Sequence, residues 1–293
     1  MFYKQISKWY NQNMENKKYS LAEALKILTD FANLNNFDNL EVIKWIVIKT
    51  LRLKREQFDY IKCIELEELE KMKKYIKRYI TGESLSRIFG YIEFCGELFD
   101  VTENVFDPRL STEALVSEVL KYDYKNPEII DLCTGSGCVA IILSKRLGVC
   151  VDALDVSPFA IEITEKNAKK LSGNICSIEF DLCDDWNKAL YKKYDVIVSN
   201  PPYWNASKIL TNPEVVNDNP LIAFNGGEDG LKFIKLIIKN SPMFLRSGGR
   251  LFLEMDPEQE KEIERLLLDG GFVDIKTAKD HRGIDRVISA KKE

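Results

Sequence analysis

From Glu128 onward the chain alternates short apolar runs with amphipathic stretches, and this alternation restricts the fold more than any other feature. Ile129-Ile130-Asp131-Leu132, Cys150-Val151-Asp152-Ala153-Leu154-Asp155, Ser177-Ile178-Glu179-Phe180 and Asp195-Val196-Ile197-Val198 each read as a strand. Helical segments lie between them, one of them opened by Ser157 with Pro158 at its first position, where a missing N–H costs nothing. A helix over about 230–245, a strand at 250–254, a helix over about 257–268 and strands at 272–277 and 286–290 complete the series. Strands regularly separated by helices imply an α/β fold with a doubly wound, mostly parallel sheet.

The first third has a different texture. Ser20-Leu21-Ala22-Glu23 fits a capping box, and Leu21, Leu25, Leu28 and Phe31 follow at helical spacing. A break at 36–39 precedes a second amphipathic segment through Val42, Ile43, Trp45, Ile46 and Ile48. A third runs from Leu66 through Met72 and Ile76 to Ile80, with Glu and Lys on its polar face, and Gly82 stops it. Residues 1–82 are therefore expected to form a small helical bundle that caps the protein or grips a partner. Residues 83–104 read as a β-hairpin linker, with short β-like runs on either side of Cys95-Gly96. Residues 105–293 form the third division.

Composition narrows the function classes. The 293 residues are 45% hydrophobic and 30% charged, as in a globular protein with ample core. A net charge of -4 argues against broad electrostatic binding to a nucleic-acid backbone. No N-terminal signal and no run approaching about 18 apolar residues is present, so a cytoplasmic location is expected. Seven cysteines without a C-x-x-C pair, and a single histidine, His281, leave no metal site and no Cys–His pair in view. The cysteines mostly sit in apolar runs and read as small buried hydrophobes in a reducing compartment. No zipper or surface patch is readable, which predicts a monomer.

The candidate chemistry sits where strands end. Cys133-Thr134-Gly135-Ser136-Gly137 follows the first strand of the sheet, and its glycines let a ligand approach the backbone at a helix N-terminus. Asp155 closes the second strand, where an acid bonds ribose hydroxyls in folds of this kind. Asp181, Asp184 and Asp185 follow the third, and with Trp186 they offer a carboxylate and an indole to flank an adenine. Ser199-Asn200-Pro201-Pro202-Tyr203 follows the fourth. Two prolines end any sheet there and leave the carbonyls of Asn200 and Pro201 free to accept from a ligand. The Asn200 side chain adds a third acceptor and Tyr203 a flat face, a set suited to a planar group carrying N–H2. Taken alone, the same residues also describe a Pro-Pro turn with a packed tyrosine.

In combination, and in this sheet order, the motifs resemble S-adenosylmethionine-dependent methyltransferases that act on planar nitrogen. They resemble most of all the release-factor glutamine N5-methyltransferases. The resemblance rests on Gly82-Glu83-Ser84, Gly90, Phe94, Gly96, Phe99, Val101, Pro108-Arg109 and Thr112-Glu113. It continues through Asp131 to Gly137, Val196 to Tyr203, Pro213-Glu214-Val215, Pro220, Ala223 and Gly226-Gly227-Glu228-Asp229-Gly230-Leu231. It ends on Leu253-Glu254, Gln259 and Gly283-Ile284-Asp285-Arg286. Five positions depart from the family pattern: Asp107 and Leu110 in Asp107-Pro108-Arg109-Leu110, where Ile-Pro-Arg-Pro is usual, Trp204 for a smaller aliphatic, Asn219 for Glu, and Asp256 for Gly.

The resemblance implies a Rossmann-like, seven-stranded methyltransferase sheet over 105–293, and a substrate-docking role for 1–82. It implies S-adenosylmethionine as cofactor, held by Cys133, Thr134, Gly135, Ser136, Gly137, Asp155, Asp184 or Asp185, Trp186 and Asn200. Strand spacing points to Asp184, and adjacency to Trp186 points to Asp185. The implied substrate is the glutamine of the Gly-Gly-Gln loop of a peptide-chain release factor. Asn200, Pro201 and Tyr203 would be catalytic, with Pro202 and Arg109 also binding the substrate. Three other readings compete: glutamine methylation of a ribosomal protein, adenine-N6 methylation of DNA, and a non-catalytic binding module. The DNA reading requires a flipped base and a bound polyanion. The acidic charge and the lack of a recognition domain after the core speak against it.

Overall fold

A computed structural model describes residues 17–186, 193–213 and 219–293. The helical expectation for residues 1–16 and the Glu214-Val215 part of one motif lie outside them. The chain divides into two compact units, Met1–Phe89 and Gly90–Glu293.

In the first unit, β1 (Lys18–Tyr19) leads into α1 (Leu21–Asn33), and α2 (Leu40–Thr50), β2 (Ile64–Glu65), α3 (Leu66–Ile80) and α4 (Leu85–Phe89) follow. The capping box is formed: Ser20 Oγ accepts from Glu23 N at 3.3 Å, and Glu23 Oε2 accepts from Ser20 N at 2.8 Å. Leu28, Ile43, Ile46, Leu69, Met72 and Ile76 make a fully buried core at the helical spacings read from the sequence. The short β1–β2 pairing, antiparallel with Tyr19 opposite Ile64, was not visible in the sequence.

The second unit opens with the hairpin β3 (Tyr91–Phe94) and β4 (Glu97–Asp100), then α5 (Glu113–Val119). The stretch read as a linker is thus divided: α4 packs into the first unit, whereas Phe94 and Phe99 are buried in the core of the second. The central elements are β5 (Ile129–Leu132), α6 (Cys138–Leu147), β6 (Val151–Asp155), α7 (Pro158–Leu171), β7 (Ile175–Glu179) and β8 (Tyr194–Ser199). After them come α8 (Ala206–Thr211), α9 (Lys232–Phe244), β9 (Leu245–Glu254), α10 (Glu260–Asp269), β10 (Phe272–Lys279) and β11 (Asp285–Lys292).

Among the described residues the main sheet has seven strands in the order β10-β11-β9-β8-β5-β6-β7. β11 runs antiparallel to both neighbours, and the other pairs are parallel. Alternate residues serve opposite faces, as a strand's period of two demands. Ile130, Leu132, Ile197, Leu251 and Leu253 join one core with α9 and α10. Ile129, Val196, Val198 and Phe252 join the other with α5, α6 and the hairpin. The strand order reverses between β5 and β8, so the carboxyl ends of β5, β6 and β8 open onto one crevice, where ligands of open α/β sheets bind.

One expectation fails. Cys63, Cys150, Cys176 and Cys183 are exposed, and only Cys138 is fully buried. Cys176 sits on β7, the strand at the sheet's edge, so its apolar run is covered on fewer sides than the central strands.

Candidate active site

The crevice holds a cavity of about 1300 Å³ whose walls include Thr134, Asp155, Asn200, Pro201, Tyr203 and Arg109. Two loops of opposite character, one after β5 and one after β8, line it together with residues after β6 and β7 and others from 104–112, 220–225 and 256–286.

The loop after β5 turns sharply. Cys133, Gly135 and Gly137 have φ of 60°, 57° and 78°, a left-handed conformation that costs a side chain energy, and glycine none. Cys133, Thr134, Gly135 and Ser136 line the cavity. Gly137 does not. It caps α6, and a Cβ there would stand 2.8 Å from Thr164 Cγ2 and 3.0 Å from Ile141 Cδ1. Its role is the close approach of α6 and α7, which corrects its assignment to a ligand.

Asp131 is buried beneath this loop, bonded by the Thr134 hydroxyl at 2.7 Å. Burial pushes its carboxyl up to about 7, against the pull of that hydroxyl and of the Ala140 N–H. Asp155, at the end of β6, accepts from Gly135 N and Ser157 N at 2.9 Å each. Burial raises its carboxyl too, and these two backbone donors oppose the shift. Each carboxylate oxygen has a lone pair to spare, so Asp155 can still take a hydroxyl from the cavity it lines.

The residues after β7 correct the sequence reading. Asp184, Asp185 and Trp186 are not in the cavity wall; Phe180, Asp181, Leu182 and Cys183 are. Asp181 Oδ1 accepts from Cys183 N at 2.8 Å and Asp181 O from Asp184 N at 2.9 Å, which curls the chain at once. The curl carries Trp186 into the core, 3% exposed, with Nε1 donating to Leu182 O at 3.0 Å and its ring against Phe244. The apolar wall expected from the indole comes from Phe180 and Leu182.

The loop after β8 is held from many directions. Ser199 Oγ donates to Leu132 O at 2.7 Å, and Asn200 Nδ2 donates to Thr112 Oγ1 at 3.2 Å. Gln259 Nε2 donates to Tyr203 O at 2.9 Å, and Tyr203 Oη to Glu254 Oε1 at 3.0 Å. Trp204 N donates to Phe224 O and Gly226 N to Trp204 O. A Cβ on Gly226 would lie 2.8 Å from Pro202 O, and one on Gly230 2.5 Å from Tyr203 O. The Gly226 to Gly230 segment therefore has a physical role that its sequence did not disclose: its bare backbone lets two carbonyls of this loop pack against it. Among the described residues no hydrogen bond reaches Asn200 Oδ1 or Pro201 O, and both residues line the cavity.

Arg109 also lines the cavity, its guanidinium 4.8 Å from the Phe106 ring centre. Two departures from the family pattern meet each other: Asp107 N donates to Asn219 Oδ1 at 2.9 Å, both residues being buried. Two others are bridged by Lys208, which pairs with Asp256 and stands 5.8 Å from the Trp204 ring centre.

Known proteins carry the same sequence arrangement. The family described as methyltransferase small domain matches residues 103–217. A release factor glutamine methyltransferase of Geobacter sulfurreducens is 34% identical over 252 residues, covering 85% of this chain and 88% of its own length. That of Thermodesulfovibrio yellowstonii is also 34% identical, covering 92% of this chain and 98% of its own. The chain belongs to the release factor glutamine methyltransferase family. A 16S rRNA N2 G1207 methyltransferase of T. thermophilus, solved with AdoMet and guanosine, shares the fold at a TM-score of 0.50 and 18% identity, over 69% of this chain and 50% of that one.

The cofactor of this family is S-adenosylmethionine, and the residues present fit it. The turn at Cys133 to Gly135 admits a ligand close to its backbone, Asp155 offers hydroxyl acceptors, and Phe180 and Leu182 supply an apolar wall for a flat ring. No helix of the described residues is long and apolar enough to cross a membrane.

Proposed function

We propose that this enzyme methylates the side-chain amide nitrogen, N5, of the glutamine in the Gly-Gly-Gln loop of peptide-chain release factors. The observation that carries the reading is the pair Asn200 Oδ1 and Pro201 O, two acceptors without a hydrogen bond among the described residues, on a cavity loop held in place through Thr112, Glu254 and Gln259. A primary amide has two N–H groups to give, and these two oxygens take them. The identity of the relatives points to the same substrate.

Bound in the cavity, S-adenosylmethionine supplies an electrophilic methyl group on a sulfonium that leaves as a neutral thioether. The chain does the rest by placement. An amide nitrogen is a weak nucleophile because its lone pair is shared with the carbonyl. Acceptors on both hydrogens hold the amide plane in one orientation and raise electron density on nitrogen. As nitrogen gains positive charge, the same two oxygens stabilise it without reorganising, and one N–H proton then passes to solvent to leave the neutral N-methylamide. Tyr203, fixed by its bond to Glu254, packs on the amide plane. Holding the reacting atoms in line accounts for much of the rate. For the cofactor this reading takes Cys133 to Ser136 and Asp155 from the cavity wall, with Phe180 and Leu182 in place of Trp186. Pro202 and Arg109 shape the substrate side.

The first unit would serve substrate docking. Trp45, with the Lys49 ammonium 4.2 Å from its ring centre, and Tyr60, 82% exposed, give it large apolar contacts outside its core. The enzyme is read as a cytosolic monomer. Incubation with S-adenosylmethionine and a release factor, followed by mass spectrometry, should show a gain of one CH2 on the Gly-Gly-Gln peptide. Methyl transfer to a ribosomal protein or DNA, and none to the release factor, would overturn the assignment.

A further inference from the structure

The loop after β8 is held again just beyond the residues that face the ligand. Tyr203 runs through Trp204 into Asn205, which caps α8, its Oδ1 accepting from Lys208 N at 2.9 Å. The backbone of Lys208 is thereby tied to the end of the loop. Its ammonium reaches across to Asp256, in the turn between β9 and α10, and pairs with Oδ2. Asp256 is 5% exposed, so its end of the pair lies out of water and is poorly screened by salt.

The Asp256 turn takes hold of the loop at a second point. Gln259 N donates to Asp256 O at 2.9 Å, Asp256 N to Gln259 Oε1 at 3.3 Å, and Glu258 N to Asp256 Oδ1 at 3.2 Å. With Oε1 given to Asp256 N, the Gln259 amide turns its NH2 to Tyr203 O, which it meets at 2.9 Å. One turn over 256–259 thus holds the chain at Tyr203 and again at Lys208, five positions on. The turn has a firm base. Pro257 fixes its own φ, and Ile263 and Leu267 of α10 are buried in the same core as Ile197 of β8.

We propose that Asp256 and Lys208 are positioning residues: their ion pair locks the Asp256–Gln259 turn against α8, so that the Gln259 amide keeps Tyr203, and with it the acceptors Asn200 Oδ1 and Pro201 O, in one place. The consequence for catalysis rests on the glutamine reading, but the brace itself is a property of the free protein. Neither charged side chain has to touch the substrate. Without the Lys208 cation, the Asp256 carboxylate keeps a single backbone N–H as partner and is drawn toward water, and Gln259 moves with it. Without the Asp256 charge, the Lys208 side chain is released and α8 loses its tie to the turn. Either way the loop drifts, and reacting groups that must be aligned are sensitive to a fraction of an ångström.

The test is Lys208→Met beside Asp256→Asn, which removes the charge but keeps an oxygen for Glu258 N. Expected is a fall in kcat of about tenfold in each, with calorimetric cofactor affinity unchanged and KM for the release factor within about twofold of the parent. The double variant should be no slower than the slower single, because both changes break one pair. Lys208→Arg, which keeps the charge, should recover most of the loss. A second readout needs no substrate: backbone hydrogen exchange over 203–212 in the cofactor-free protein should quicken in K208M and D256N and not in K208R. A pair that only adds stability would lower the melting temperature and leave kcat intact wherever the variants stay folded, and that result overturns the proposal. Losses that multiply in the double variant, or exchange that ignores both single changes, overturn it as well. A parent enzyme that transfers nothing to a Gly-Gly-Gln substrate overturns the substrate reading, and hydrogen exchange then decides the brace on its own.

Discussion

Two of the loops that line the cavity were made in different ways. The loop after β5 is a local object. Its shape follows from three left-handed residues within five positions, and the carboxylate that braces it, Asp155, lies on the adjacent strand. It presents backbone and hydroxyls to a ligand. The loop after β8 is a distant assembly. Thr112, Glu254, Gln259, Gly226, Gly230 and Leu132 all hold it, from both directions along the chain. It presents oxygens with no hydrogens to offer. The first can bind a cofactor by local geometry, whereas the second can serve a reaction only if long-range contacts keep two acceptors aimed. Damage should therefore be graded: remote changes should cripple the second loop, and only close changes the first.

Asn200→Ala should give the largest effect. Losing a donor or acceptor that acts at the developing charge typically costs a factor of about 10² to 10³ in kcat. Cofactor binding should survive, as calorimetry would show, because the loop after β5 and Asp155 are untouched. Turnover close to that of the parent would break the comparison at its root.

Next comes a residue that touches neither ligand. Gly230 has φ 74°, and a Cβ there would press on Tyr203 O at 2.5 Å and on Gln259 Nε2 at 2.7 Å. Gly230→Ala should displace the loop after β8 by a fraction of an ångström, enough to cost about 10² in kcat when reacting groups must be aligned. A kcat loss with unchanged cofactor affinity would sharpen the contrast. An equal loss of both would show that the two loops move together.

The same contrast explains what could be read in advance. The parallel sheet was legible because fully buried strands are continuous apolar runs and their helices carry caps such as Pro158. The loop after β5 and the acid at Asp155 were legible because their chemistry is contiguous. Asn200 to Tyr203 announced themselves through two prolines. Trp186 misled, because an indole in a loop looks like a ligand wall, and only the turn at Asp181 shows that it points into the core. The clamp at Gly226 to Gly230 and the Thr112–Asn200 bond could not be foreseen at all. Their partners are 24 to 88 positions distant by chain numbering, and no spacing rule spans that.

Asp155→Ala tests the first loop by a short-range route. It removes the acceptor of Gly135 N and an acceptor in the cavity wall at once. Cofactor affinity should fall by about ten- to a hundredfold, the worth of one charged hydrogen bond at ~1.5–3 kcal/mol. The kcat at saturating cofactor should change less than in Gly230→Ala. An unchanged affinity would remove Asp155 from the cofactor site.

The smallest effect is expected at Asp131, which touches the first loop from below. Its carboxyl titrates near 7 in the folded protein against an ordinary value of 3.8. Between those values the folded protein keeps a proton that the unfolded chain has released. Stability from this group is therefore greatest below the unfolded value, declines as pH rises toward 7, and then levels off. Asp131→Asn cannot ionise and should lack that decline. Melting curves of the cofactor-free protein at pH 5 and pH 7.5 should show the parent losing a few degrees more than the variant over that interval. Equal slopes would mean that Asp131 is ionised throughout, and that the Thr134 hydroxyl and Ala140 N–H outweigh its burial. The loop after β5 would then be braced by two charged carboxylates, and its tolerance of nearby substitutions should shrink toward that of the loop after β8.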